Sequence, residues 1–147
     1  MPATAKAGMK TTTRMTWRLY MKKTAAGTAA FYICIYRGVN GTTADTRDVA
    51  QSIGTATAAV DNMVVDVQLT VTTTGASGAY HWAICAQNKA LTAVGFGIAT
   101  GAGQFSGNVS GVAMNTASLI FGIGVMGTTG TTTLTVPLVQ AQAFNMD

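Results

Sequence analysis

Met15, Trp17, Leu19 and Met21 alternate with Thr16, Arg18, Tyr20 and Lys22. A period of two sustained over eight residues belongs to a half-buried strand; a helix would scatter Met15 and Leu19 around its cylinder. The same alternation recurs with Met63, Val65, Val67, Leu69 and Val71 facing one way and Val64, Asp66, Gln68, Thr70 and Thr72 the other. Leu119, Phe121, Ile123 and Val125 repeat it against Ile120, Gly122, Gly124 and Met126. Residues 29–37, 79–87 and 91–99 read as further strands, 109–114 as a short one and 132–144 as the closing one. Pro137 in the last of these points to an edge or a bulge. Residues 49–53 fit either a short strand or one helical turn.

Between these runs lie turn-forming stretches at 24–28, 38–45, 73–78 and 88–90, a loop at 100–108, and a hairpin turn at 127–131. Asn40-Gly41 is the strongest turn pair among them. About eight strands spaced in this way predict an antiparallel sandwich or barrel. No fixed-period repeat and no heptad pattern is present, which excludes a solenoid, a propeller and a coiled-coil stalk.

Composition agrees. Of 147 residues 48% are hydrophobic and only 10% charged, with no Glu and 17 Gly. Long surface helices draw on Glu, Lys, Gln and Arg, and this chain lacks that material. Thr, which is abundant here, favours strands. A surface so poor in charge suits a protein covered by neighbouring subunits, and predicts a trimer or another stable oligomer. Residues 1–10 show no apolar core of a secretory signal, and the most apolar segment, 117–127, is far short of the ~20 residues of a membrane span. The expectation is a soluble chain made in the cytoplasm, with no membrane partner.

Charge is distributed unevenly. Residues 1–37 carry a formal +7 with no acid, and the remainder sums to −3. Residues 1–13 are small, polar and basic without periodicity, and read as an extended arm preceding a single domain at 14–147. Lys6, Lys10, Arg14, Arg18 and Lys22 fall every four positions. On a strand that spacing puts Arg14, Arg18 and Lys22 on one outer face, with Tyr20. Such a row suits an acidic partner. Nucleic acid is the weaker candidate, because Trp17 points to the core and the aromatic residues do not cluster with the basic ones beyond this strand.

Candidates for chemistry are few. His81 is the single histidine and lies mid-strand, where a structural role outweighs that of a general base. No Ser sits in a nucleophile elbow, and paired-carboxylate hydrolysis would have to draw on five Asp. A calcium loop from Asn40, Asp45 and Asp48 matches no known ligand spacing. The glycines of 95–103 lack the Lys-Ser/Thr and the βαβ unit of a phosphate loop. Cys34 and Cys85 sit in apolar runs and form no zinc pattern; they read as buried thiols, with a single disulfide open as an alternative. The expectation is a protein without enzymatic activity, cofactor, metal or small-molecule substrate.

The strand "TWRLYMKKTAAGT", the loop "NGTTADTRD", the strand "VDVQLTVTTTGASG" and the closing "TTGTTTLTVPLVQAQAFN" resemble jelly-roll virion proteins of tailed bacteriophages, closest to capsid decoration, or cement, proteins. The likeness spans residues 14 to 144 and is one of pattern and composition. It implies a jelly-roll sandwich, a homotrimer on the outside of a head, the major capsid protein shell as partner, and an N-terminal arm reaching the shell. Lys6, Lys10, Arg14, Arg18 and Lys22 would then be shell-docking residues, raising on-rate and orienting the encounter. A receptor- or glycan-binding jelly roll from a tail or head fibre is the alternative.

Overall fold

The computed structural model describes residues 3–4, 9–24, 27–88, 95–96, 102–115, 119–128 and 134–146. The described residues contain nine strands and no helix: β1 (Ala3–Thr4), β2 (Met9–Lys23), β3 (Ala30–Gly38), β4 (Thr46–Thr55), β5 (Asp61–Thr73), β6 (Gly78–Asn88), β7 (Ala102–Val112), β8 (Ile120–Gly127) and β9 (Leu134–Met146). They form two antiparallel sheets, one of order β1-β8-β3-β4 and one of order β7-β6-β5-β2-β9. The protein is thus an all-β sandwich. Its wiring is a hairpin (β3–β4), a meander (β5–β6–β7) and strands that cross between sheets, a connectivity that does not confirm the jelly-roll topology.

Alternation builds the core as the sequence predicts. Met15, Trp17, Leu19 and Met21 of β2 and Met63, Val65, Val67, Leu69 and Val71 of β5 are buried, and meet Phe31, Ile33 and Ile35 of β3 and Phe121 of β8. The Trp17 indole Nε1 is buried without a hydrogen-bond partner.

Several expectations change. β4 is a full strand, and its bulges explain its weak pattern. Ile35 pairs with Val49 and Tyr36 with Arg47, so Asp48 is an extra residue. That bulge turns both Val49 and the Asp48 side chain inward. The expected loop at 100–108 is mostly strand β7. The structural reason is Gly107, where an added Cβ would lie 2.8 Å from Trp82 Cζ2; the bare backbone leaves room for the indole. Of the strand expected at 91–99, the described residues Gly95 and Phe96 form a turn, and the others lie outside the described residues. The connection near 127–131 is not a hairpin, because β8 and β9 belong to different sheets. The boundary expected at residue 14 falls inside β2, which starts at a buried Met9, while Ala3–Thr4 pairs with β8.

Two polar clusters brace the interior. Asp48 accepts Arg37 Nε at 2.7 Å and Arg37 Nη2 at 3.0 Å, and Tyr80 Oη donates to it at 3.0 Å from the opposite sheet. The Tyr80 ring also stands edge-on to Phe121 at 5.2 Å. The second cluster lies at the end of the sandwich. Lys23 is fully buried and its Nζ donates to Ala59 O at 2.8 Å. Its ladder partner is Asp61, which is also buried. Asp61 Oδ2 accepts the Gly95 N–H at 2.9 Å, and Thr57 N–H binds Gly95 O at 2.8 Å. These bonds hold Phe96 edge-on against Phe31 at 5.3 Å.

Candidate functional site

Because side chains alternate along every strand, one face of the five-stranded sheet is core and the other is open. The ladder registers fix what the open face carries. Across it run Gln142, Thr16, Gln68, Ala83 and Ser106, and beside them Gln140, Arg18, Asp66, Cys85 and Gln104. A third row holds Phe144, Arg14, Thr70, His81 and Asn108. Amide, hydroxyl and guanidinium groups therefore stand in a grid, about 4.8 Å apart between strands and about 6.8 Å along them.

The face is hollow. One depression of about 770 Å3 spans β2, β5, β6 and β7 and includes Arg14, Arg18, Asp66, Gln68 and His81. A second, of about 450 Å3, lies between β2 and β9 against Thr12, Arg14, Thr16, Gln142 and Phe144. Arg14 and Thr16 border both, so the two depressions adjoin at β2.

Its charges are partly committed. Arg18 donates through Nε to Asp66 Oδ1 at 2.6 Å and through Nη2 to Oδ2 at 2.9 Å, a bidentate pair. That hydrogen bond, and then the Asp66 charge, push the Arg18 guanidinium still higher than its usual range. Arg14 Nη2 donates to the neutral Gln68 Oε1 at 2.8 Å, and Gln68 Nε2 in turn to Thr70 Oγ1 at 3.3 Å. Arg14 thus keeps a positive charge with no carboxylate in that bond.

Of the basic row expected from the sequence, Arg14, Arg18 and Lys22 do share β2 and are exposed. Arg14 and Arg18 stand in the groove. Lys22 lies farther along the strand, opposite Asn62 and Thr135. Lys10 is exposed near the start of β2, where its backbone N–H bonds Thr13 Oγ1 at 3.0 Å. Lys6 lies outside the described residues. The glutamines that share the groove were missed at the sequence level; the register that aligns Gln68, Gln104, Gln140 and Gln142 comes from pairing across strands distant in sequence.

The other candidates have structural partners. Asp45 accepts N–H bonds from Asn40, Gly41 and Thr42 and from Asn40 Nδ2, at 2.7–3.2 Å. Desolvation works to raise its pKa, but these donors together outweigh it and hold the carboxyl below its usual range. With Asp48 also bonded to Arg37 and Tyr80, the Asn40–Asp45–Asp48 calcium loop is not formed, and no group of three metal-ligating side chains occurs among the described residues. Cys34 and Cys85 are both free. They project from the outer faces of opposite sheets, Cys34 buried and Cys85 half-buried. Burial pushes the Cys34 thiol up, against the pull of nearby Arg47 and Tyr36.

The Asp45 arrangement sets a pH dependence. A lowered carboxyl supports its loop above the ordinary carboxylate value, and that support is lost as pH falls through the folded value. Relative to the intrinsic rate at each pH, protection of the Gly41 and Thr42 amides is expected to fall below about pH 4, and in Asp45→Asn at neutral pH, while the core strands stay protected.

Comparison of the chain with protein-family models, curated proteins and solved structures returns no match.

Proposed function

We propose that this chain is a non-catalytic structural protein of a virion, a decoration protein that binds the outside of a phage head as a trimer and reinforces the shell. The observation that carries the reading is the edge strand β9. Its sequence, LTVPLVQAQAFNM, holds no charged residue over 13 positions, and it closes the sheet at one side. Soluble proteins guard long edges with Lys, bulges, Pro or a covering element, because an open edge templates pairing with another chain. Here the guards are Pro137 and the register break beside it, between Tyr20 and Lys22 of β2, and they leave the following stretch open.

That stretch is bare on its inner side too. Ala141 and Ala143 are exposed although their ladder partners Trp17 and Met15 are buried. Among the described residues no strand pairs with the outer side of β9. A flat strip of small side chains beside a free backbone edge suits coverage by a second copy or by the shell. The likeness of residues 14–144 to phage decoration proteins supplies the virion setting, with synthesis in the host cytoplasm and the major capsid protein as partner. Asp45, Asp48, Asp61 and Asp66 all accept hydrogen bonds within the fold, which supports a role other than catalysis. Arg18 shares its charge with Asp66 in a bidentate pair, and shell docking by Lys6, Lys10, Arg14, Arg18 and Lys22 is proposed beside the edge.

The test is sedimentation, alone and with purified shells. The wild-type chain is expected to run as an oligomer at micromolar concentration and to pellet with shells. Ala141→Lys, at an exposed position, should keep the circular dichroism of the fold and lose at least tenfold in both associations. A monomer that ignores shells, or an Ala141→Lys variant that behaves as wild type, would overturn the reading.

A further inference from the structure

The groove on the outer face of the five-stranded sheet has the chemistry of a ligand site distinct from the β9 edge. We infer that it binds an acidic oligosaccharide, with the Arg14 guanidinium taking a sugar carboxylate and Phe144 lying against the apolar face of a sugar ring.

Three observations converge on that class. The first is the grid of hydrogen-bonding groups. Gln104, Gln140 and Gln142 each offer a donor and an acceptor, set at sheet spacing across the outer face of the five strands, on the order of 20 Å. A saccharide presents hydroxyl groups, each both donor and acceptor, at repeated positions along its length. A peptide would seek free backbone, but β2, β5 and β6 have their ladders filled on both sides, so strand addition is closed on this face.

The second is charge complementarity. Apart from His81, the charged groups of the groove are Arg14, Arg18 and Asp66. Arg18 and Asp66 cancel each other at 2.6 Å, while Arg14 bonds a neutral amide. One surplus positive charge therefore faces the ligand. A nucleic acid brings a phosphate at every nucleotide and is held by several cations. A neutral glycan leaves Arg14 without a counter-charge. A saccharide with one carboxylate at this point matches it, and Arg binds carboxylate with bidentate geometry.

The third is Phe144. It is 49% exposed and is the ladder partner of Arg14, so one aromatic surface stands next to the surplus charge. Apolar surface beside a few fixed polar groups is the usual make-up of a small-ligand site.

The experiment is calorimetric titration of the full chain with hexuronate- and sialate-containing oligosaccharides, with their carboxyl-reduced counterparts, and with oligothymidylate. At least one carboxylated member is expected to bind ten or more times tighter than its reduced form. Arg14→Gln should erase that difference, and Phe144→Ala should weaken both forms; both side chains are exposed, so both variants are expected to fold. Ala141→Lys should bind sugar as wild type, which separates this site from the assembly edge. Absence of millimolar binding across the panel, unchanged preference in Arg14→Gln, or tighter binding of oligothymidylate would each overturn the inference.

Discussion

Asp48→Ala is expected to lower the unfolding free energy by about 3–5 kcal/mol, the range for removing one partner of a buried ion pair. The Asp48 side chain is 5% exposed and joins Arg37 on its own sheet to Tyr80 on the other. Without the carboxylate, a partly buried guanidinium and a buried phenol both lose their acceptor. Tyr80→Phe is the milder change, leaving the Arg37 pair intact. It carries its own signature at high pH. Burial first, and then the Asp48 charge and hydrogen bond, push the Tyr80 hydroxyl well above its ordinary value of 10.0. The unfolded phenol releases its proton near pH 10 while the folded one holds it. Stability from this group is therefore full below pH 10 and falls as pH rises beyond it. Denaturant titrations at pH 7 and pH 10.5 should show a steeper loss for wild type than for Tyr80→Phe. Equal slopes, or an Asp48→Ala variant as stable as wild type, would remove the cluster from the account of the fold.

Asp61→Ala is expected to cost about 1–3 kcal/mol, the range for leaving a buried hydrogen-bonding group without its partner. Asp61 stands across the ladder from a fully buried Lys23 and accepts the Gly95 amide. Its removal leaves a buried ammonium without the neighbouring carboxylate and frees the turn that seats Phe96. Lys23→Met keeps much of the stem volume while deleting the charge, so it should cost less. The double variant Lys23→Met/Asp61→Ala should be more stable than the sum of the two singles predicts, since the groups share one environment. Hydrogen exchange gives a local check: the Gly95 amide should exchange much faster in Asp61→Ala. A protected Gly95 in that variant would show that the turn is held by packing alone.

The fold was legible where one face of a strand is core. In β2 and β5 the alternation named the buried residues, because burial on one side and solvent on the other impose a period of two; in β8 only Phe121 is buried, with Ile123 and Val125 partly so. It faded where the backbone departs from the ladder or the strand lies at an edge. In β4, bulges at Asp48 and Ile53 break the period. In β7 the inward positions are Phe105, Gly107 and Val109, and the middle one is a glycine that yields its space to Trp82. Lys23 is a case in which the signal is present in the sequence: it continues the inward series 15, 17, 19, 21 despite its charge. The groove was legible in part. Arg14 and Arg18 could be assigned to one face from local spacing, whereas the bonds to Gln68 and Asp66 depend on β2 pairing with β5, some fifty residues away.

The uncharged β9 edge also bears on time. A chain that has folded but not yet found its place in an assembly displays that edge to every other copy, so the hazard grows with the concentration of unassembled protein and with how long it waits. Under the proposed function, synthesis while docking positions are open would keep the free pool small, whereas synthesis in excess would leave more edges uncovered. In the proposed trimer the edge is covered and growth closes, so conditions that dissociate the trimer are expected to raise light scattering from the isolated chain.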